Sequence, residues 1–398
     1  MSSLKHNIYL FLLFDFLTNL SPISFIYVLF LVQKEVTLTN IGIIIAIYQL
    51  SKFIFEVPSG YLSDKFGRKK CTILGQFLLI IFLSLTVITH SFYFFVCASF
   101  IRGISYSFLS GTADCLYVES ILKLCPDKLD HWLSIDKLLF YIAYGCSSLI
   151  GGLLALINYD TVFYFNISIQ FICLIFVFMF KETNGKNNTH SFTFKTMKQE
   201  IFTRKDVLYL IFLPAVIAII MLPFEDYYPT ILKEIGIQEV YSGAIISMNF
   251  IISAVVGLKT NKINEKIGYF FTIKLIPYLL TTGFLLLSLF MDIPYLQIMI
   301  YIIITIGSTI NNISYNSCLQ KKIDNQLRGT IISIRSLLIA IVAIIISPIV
   351  GFSSQHIGFS QTFFLCSISC LCILFLMNHY LLQNHNILEY KNNNIQHD

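Results

Sequence analysis

The sequence predicts an all-α integral membrane protein: twelve transmembrane helices in two pseudo-symmetric six-helix bundles. Three observations carry that expectation: a chain too apolar for water, twelve apolar runs of membrane-crossing length, and a repeat at an offset of about 200 residues. Of 398 residues, 56% are hydrophobic and 12% charged, where a soluble domain carries roughly a quarter charged residues. So little polar surface cannot clothe the chain in water, and a mean hydropathy of +0.75 agrees. The ten cysteines fall almost all in apolar runs, with no C-x-x-C pair and no His cluster beside them. They read as small hydrophobes, so neither a disulfide framework nor a metal site is expected.

A hydrocarbon core takes about 20 helical residues to cross. Suitable runs lie near 8–32, 41–62, 71–89, 93–122, 134–157 and 161–181, then 207–231, 241–260, 270–290, 294–318, 329–351 and 360–382. In lipid every backbone amide needs an internal partner, which leaves helices or closed barrels, and these runs lack the two-residue alternation of barrel strands. The first run is too long for a signal-peptide core, carries Asp15 and Asn19 and lacks a small-residue cleavage site, so it is expected to remain as span 1. The bundles are expected at 1–181 and 207–383, with a cytoplasmic linker at 182–206 and a polar cytoplasmic tail at 384–398.

With the N-terminus inside, 21 of the 27 basic residues fall on the cytoplasmic side, only Lys34 and Lys233 fall outside, and four lie within spans. This is the bias of the positive-inside rule. It places both termini in the cytoplasm of a multi-pass cell-membrane protein.

Sliding the chain by 201 residues sets Pro22 on Pro223, Gly42 on Gly243 and Gly67 on Gly268. The same shift sets Leu62-Ser63-Asp64-Lys65-Phe66-Gly67 against Ile263-Asn264-Glu265-Lys266-Ile267-Gly268. Offsets of 199 and 200 set Ser134-Ile135-Asp136 against Ser333-Ile334-Arg335, and Ser147 to Gly151 against Ser347 to Gly351. Their order along the chain points to duplication, and paired halves around a central site suit alternating access.

After span 2 the chain reads Gly60-Tyr61-Leu62-Ser63-Asp64-Lys65-Phe66-Gly67-Arg68-Lys69-Lys70. This run resembles the loop signature of the major facilitator superfamily, and the likeness in helix number, repeat and loop placement covers nearly the whole chain. The resemblance implies a transporter. It also implies that Asp64 sits by the start of span 11, where a helix N-terminus favours negative charge, and locks the cytoplasmic side. Gly60, Asp64, Gly67, Arg68 and Lys69 are thus the expected gating motif, with Glu119 in support. Glu56-Val57-Pro58-Ser59-Gly60 and the run Ser110 to Ser120 look like bacterial drug-efflux members of uncertain substrate. The family's span 5 antiporter signature, Gly-Pro-x-x-Gly-Gly, is half present as Ser147-Ser148-Leu149-Ile150-Gly151-Gly152.

A charge at mid-membrane costs roughly 2.5 to 3.5 kcal/mol, so each needs a partner, a wet cavity or a task. Asp15 shares a face of span 1 with Thr18, Asn19 and Pro22 and is placed to bind protons or to hydrogen-bond a neighbouring helix. Arg102 begins a stripe in span 4 through Tyr106, Ser110 and Asp114; the resemblance implies a core Arg used in substrate or proton handling. Glu225 and Asp226 follow Pro223 and either draw cations into a cavity or cap span 7 with solvated charge. In span 10, Asn312 belongs to a polar set with Thr305, Ser308, Asn311 and Tyr315. Glu56 and Arg335 lie at the inner ends of spans 2 and 11, which meet in the family, and are expected to form a gate between the halves.

The reading that fits is secondary active transport, as proton-coupled efflux (antiport) of a small amphipathic compound. Uptake of a small nutrient with protons is the alternative. No G-x-x-x-x-G-K-[ST] loop supplies ATP energy, and no H-E-x-x-H or G-x-S-x-G supports an intramembrane enzyme. A non-transporting sensor needs an output domain, and the linker and tail are too short and polar to be one. The expected partners are a small-molecule substrate, protons and the lipid bilayer; no cofactor, no metal and no nucleic acid is expected, and a monomer suffices.

Overall fold

The computed structural model describes residues 2–182, 205–322 and 325–381. Eleven helical stretches among them are long and apolar enough to cross a membrane, and the last, Ile331–Leu381, runs for 51 residues. One crossing needs about 20, and Gly358 interrupts that stretch at φ 82°, so it provides two. Twelve crossings among the described residues match the expected number. In order they are span 1 (Ser2–Asn19 with Ile23–Gln33), span 2 (Leu38–Phe66), span 3 (Arg68–Ile88), span 4 (Phe92–Leu124), span 5 (Leu129–Ala155) and span 6 (Tyr159–Met179). Then follow span 7 (Lys205–Glu234), span 8 (Glu239–Ile267), span 9 (Tyr269–Leu289), span 10 (Pro294–Lys322), and spans 11 and 12 within Asn325–Leu381. Most of the expected linker, and the whole tail at 384–398, lie outside the described residues.

Local chemistry sets the breaks. Span 1 is interrupted where Pro22 lacks an amide to donate, and there the Asn19 side chain turns back to the Asp15 carbonyl and carboxylate, both at 2.8 Å. Span 6 starts on Asn158, whose Oδ1 accepts from the Thr161 amide at 2.7 Å. Span 2 ends on Gly67 at φ 97°, its amide bonded to the Ser63 carbonyl.

The duplication is visible in hydrogen bonds. After span 1 the Glu35 and Val36 amides bond to the Val32 and Leu31 carbonyls, both at 3.0 Å. The same closure recurs 201 residues later, where the Gly236 and Ile237 amides bond to the Lys233 and Leu232 carbonyls at 3.0 and 2.9 Å. Each is a left-handed helix ending; Glu35 adopts it at φ 61° and bears strain that Gly236, at φ 85°, avoids. Gly268, at φ 90°, likewise repeats Gly67, its amide bonded to the Asn264 carbonyl.

One compact unit gathers the first six spans together with Pro223–Ala254 and Ala343–Phe359. Two glycine crossings explain why pieces of spans 8 and 11 pack there. A methyl on Gly42 would run into the Ser347 carbonyl, and one on Gly351 into the Leu38 carbonyl. A methyl on Gly243 would run into the Ser148 carbonyl, and one on Gly152 would lie 2.7 Å from the Glu239 carbonyl. Leu38 and Gly42 precede Glu239 and Gly243 by 201 residues, and Ser148 and Gly152 precede Ser347 and Gly351 by 199. The two crossings are therefore copies, and small residues let helices close on each other without help from water.

Hydrogen bonds between helices hold the rest of this unit. Gln76 Nε2 donates to Gln170 Oε1 at 2.7 Å, Thr72 and Thr112 share a bond of 2.8 Å, and Ser105 Oγ donates to the Gly75 carbonyl. The second unit takes the remaining described residues of spans 7 to 12. Its core packs Tyr209, Leu210, Ile273, Tyr315, Leu319 and Leu374, with Ser314 bonded to Asn264 and Asn378 to Tyr278.

Cysteines introduced at Lys65 and at Tyr93, both exposed, test the orientation. With the termini inside, Lys65→Cys should react with an impermeant maleimide only after permeabilisation and Tyr93→Cys in intact cells; the reverse pattern would invert the topology.

Candidate functional site

The expected gating motif forms a charged knot at the turn between spans 2 and 3. Arg68 is buried and ion-paired with Glu119 of span 4, which brings two expected residues together. Glu182, just after span 6, accepts from the Arg68 amide at 2.8 Å and the Lys69 amide at 3.1 Å. A carboxylate thus caps the N-terminus of span 3, where free amides and the helix dipole favour it. Lys69 Nζ donates to the Phe178 carbonyl at 2.6 Å, tying the loop to span 6 a second time. A methyl on Gly67 would lie 3.0 Å from Glu182 Oε2, so glycine serves both the turn and this approach. Gly60 has open space around it, and Asp64 is exposed.

Above the knot, Arg102 sits in a box of aromatic rings. Its guanidinium carbon lies 4.4 Å from the centroid of Tyr48, 5.0 Å from Tyr27, 5.3 Å from Phe82 and 5.7 Å from Tyr106. The rings come from spans 1 to 4, and cation–π attraction replaces part of the hydration that the charge loses. Arg102 Nε is buried without a hydrogen-bond partner. A small cavity beside it is lined by Ser21, Tyr27, Arg102, Tyr106, Asn166 and Gln170 among others. Asp226 acts electrostatically on this guanidinium. It and Glu225 are accessible while Phe224, Tyr227 and Tyr228 are buried, and span 7 continues to Glu234, so the two carboxylates stand along the helix and not at its end.

Asp15 holds a third centre. Its carboxylate accepts from Asn19 and neighbours the Asp136 carboxyl within hydrogen-bonding reach; Asp114 and Lys137 also act on it electrostatically. Oδ1 of Asp136 is buried without a partner. One proton shared between Asp15 and Asp136 would form a hydrogen bond that two carboxylates cannot. In the second unit Arg335 Nη1 donates to Asn316 Oδ1, and Asn316 Nδ2 to Asn312 Oδ1, both at 2.9 Å. Arg335 and Asn312 are thus joined through a residue that the sequence did not single out. Glu56 lies on span 2 in the first unit, its carbonyl accepting from Ser59.

Sequence reasoning missed Glu182 and Asp136. The signal for Glu182 was an acid directly after span 6 in a mostly basic loop. For Asp136 it was a carboxylate at the position that the repeat aligns with Arg335.

A profile described as the Major Facilitator Superfamily matches residues 9–348. The chain belongs to that superfamily. It is therefore a multi-pass membrane transporter of the secondary, alternating-access kind and not an enzyme. The superfamily likeness extends to a transporter named BU466 of Buchnera aphidicola, 26% identical over 37% of each chain, and to the MFS-type transporter YxaM of Bacillus subtilis, 24% identical over 87% of this chain and 88% of that one. Among solved structures, the nucleoside transporter NupG superposes with a TM-score of 0.73 at 11% identity, covering 98% of this chain and 100% of that one. A D-xylose–proton symporter gives 0.71 at 13% identity over 93% and 96%. At such identity these structures show the fold alone.

Glu119→Gln leaves Arg68 buried without its carboxylate, a loss of about 3 kcal/mol for a buried pair. Thermal unfolding in detergent should fall clearly for Glu119→Gln and less for Glu182→Ala, which removes a cap of about 1 kcal/mol; equal small shifts would remove the knot from the fold's supports.

Proposed function

We propose that this transporter exports a small amphipathic compound in exchange for protons, with Asp15 and Asp136 as the proton carriers. What supports the proposal is the closeness of these two carboxyl groups inside a span bundle, where the charge of each bears on the other. Two like charges so placed resist joint ionisation, so the pair holds a proton until substrate or access to the other side changes its surroundings. One charge crossing 100 mV releases about 2.3 kcal/mol, enough for roughly a fiftyfold gradient. The aromatic box around Arg102, with Glu225 and Asp226 facing accessible space, supports an amphipathic substrate held by rings at one side and charge at the other. The two repeats, 1–181 and 207–383, act as the moving halves. Asp64 at the start of span 11 and a Glu56–Arg335 ion pair are proposed to close the cytoplasmic side when the site faces out.

Proton-coupled uptake is the second reading. The half-present antiporter signature of span 5 favours it, as does the likeness to a proton symporter. Everted and right-side-out vesicles with an imposed pH gradient distinguish the two across a panel of amphipaths and nutrients. Asp15→Asn with Asp136→Asn should abolish gradient-driven accumulation while leaving downhill exchange; accumulation at wild-type level in the double variant would remove the proton role.

A further inference from the structure

Among the described residues only two lysines or arginines, Lys34 and Lys233, fall at the end of the bundle away from the Gly67 loop, and both pair with adjacent residues at the start of span 6. Lys34 lies 3.4 Å from Asp160. Lys233 Nζ lies 2.8 Å from Glu239 Oε1 and donates to the Tyr159 hydroxyl at 2.7 Å. The Tyr159 hydroxyl in turn donates to Glu239 Oε1 at 2.6 Å, and Lys233 also stands over the Tyr159 ring at 5.1 Å. Each member of this triangle touches the other two. Lys233 is in the last turn of span 7, Glu239 begins span 8, and Tyr159 begins span 6, so the triangle ties the turn between spans 7 and 8, part of the second repeat, to a span of the first.

Its position matters as much as its bonds. Glu239 offers its side chain to the triangle and its carbonyl to Gly152, 2.7 Å from where a methyl would stand. The triangle therefore sits directly on the crossing of spans 5 and 8. The copied crossing of spans 2 and 11 carries Leu38 where this one carries Glu239. It is held by neutral bonds: the Thr39 amide and hydroxyl donate to Gln355 Oε1 at 3.0 and 2.7 Å, and the Tyr227 hydroxyl donates to the Leu38 carbonyl at 3.4 Å.

We propose that Tyr159, Lys233 and Glu239 are gating residues for transport: a charged latch that holds the crossing of spans 5 and 8 shut and must break before the protein opens at that end. With the termini inside, that end is the outer one. The Lys233 side chain is 51% exposed against 17% for Glu239, so water and salt reach the latch and its hold is modest.

The test needs no substrate. Ser347 is buried at the companion crossing, and Ser347→Cys, followed by peptide mapping after labelling of intact cells with an impermeant maleimide, reports opening at that end. Lys233→Gln or Glu239→Gln should raise the labelling rate about twofold to fivefold, as loss of a half-exposed ion pair allows. The double variant should label no faster than either single one, and the swap Lys233→Glu with Glu239→Lys should label slowly again, an outcome that mere damage to the fold would not give. Tyr159→Phe removes the hydroxyl through which both bonds to the first repeat pass, and should give a rise at least as large as either charge variant. Unchanged labelling in the single variants, additive effects in the double, or failure of the swap to slow labelling would each overturn the latch.

Discussion

The close approach of backbones at Gly42, Gly152, Gly243 and Gly351 is the contact on which the rest of the first unit depends. In lipid no hydrophobic force drives one helix against another, so association rests on packing and on polar bonds between helices. Packing gains only where side chains are small enough for backbones to meet, and at each of these four positions a carbonyl of the facing helix occupies the place of a side chain. The carbonyls belong to Ser347, Glu239, Ser148 and Leu38, so each crossing uses one glycine and one carbonyl from either helix. That reciprocity is what duplication of a single crossing produces.

Much of this architecture was legible in the sequence because membrane imposes a coarse code. Length and apolarity located the spans, and the breaks fell where Pro22, Gly67, Gly268 and Gly358 demanded them. The offset of 201 residues was readable from a few glycines and prolines, and the paired endings at Glu35 and Gly236 give it a geometric meaning. The ion pair of Arg68 with Glu119 was likewise within reach, since the motif supplied one member and a carboxylate near the end of span 4 the other. The grouping of Pro223–Ala254 and Ala343–Phe359 with the first six spans was not, because a repeat records descent and does not say which ends touch.

What escaped the sequence shares a physical reason. Glu182 works through the amides of Arg68 and Lys69, and backbone partners leave no mark on composition. Asp136 matters through its neighbour Asp15, more than a hundred residues away, and periodicity within one helix cannot report a contact between two. Arg102 is the converse: a lone charge in an apolar span demands compensation on energetic grounds, yet only the structure shows that rings of Tyr27, Tyr48, Phe82 and Tyr106 supply much of it.

The placement of strong and weak charge pairs fits a protein that must change shape. An equilibrium between two forms is useful only if they differ by a few kcal/mol, because a ligand or ion gradient can shift it no further than its own differential binding allows. A well-buried ion pair is costly to separate, and Arg68 with Glu119, whose side chains are 10% and 17% exposed, joins spans 3 and 4 of a single repeat. Lys233 and Glu239, by contrast, pair within the second repeat and reach the first only through hydrogen bonds to the Tyr159 hydroxyl, at a site half open to water and correspondingly cheap to break. Among the described residues, buried charge thus makes a connection within one repeat, whereas the links between repeats named above are glycine contacts and hydrogen bonds, each weak enough to be undone in a transport cycle.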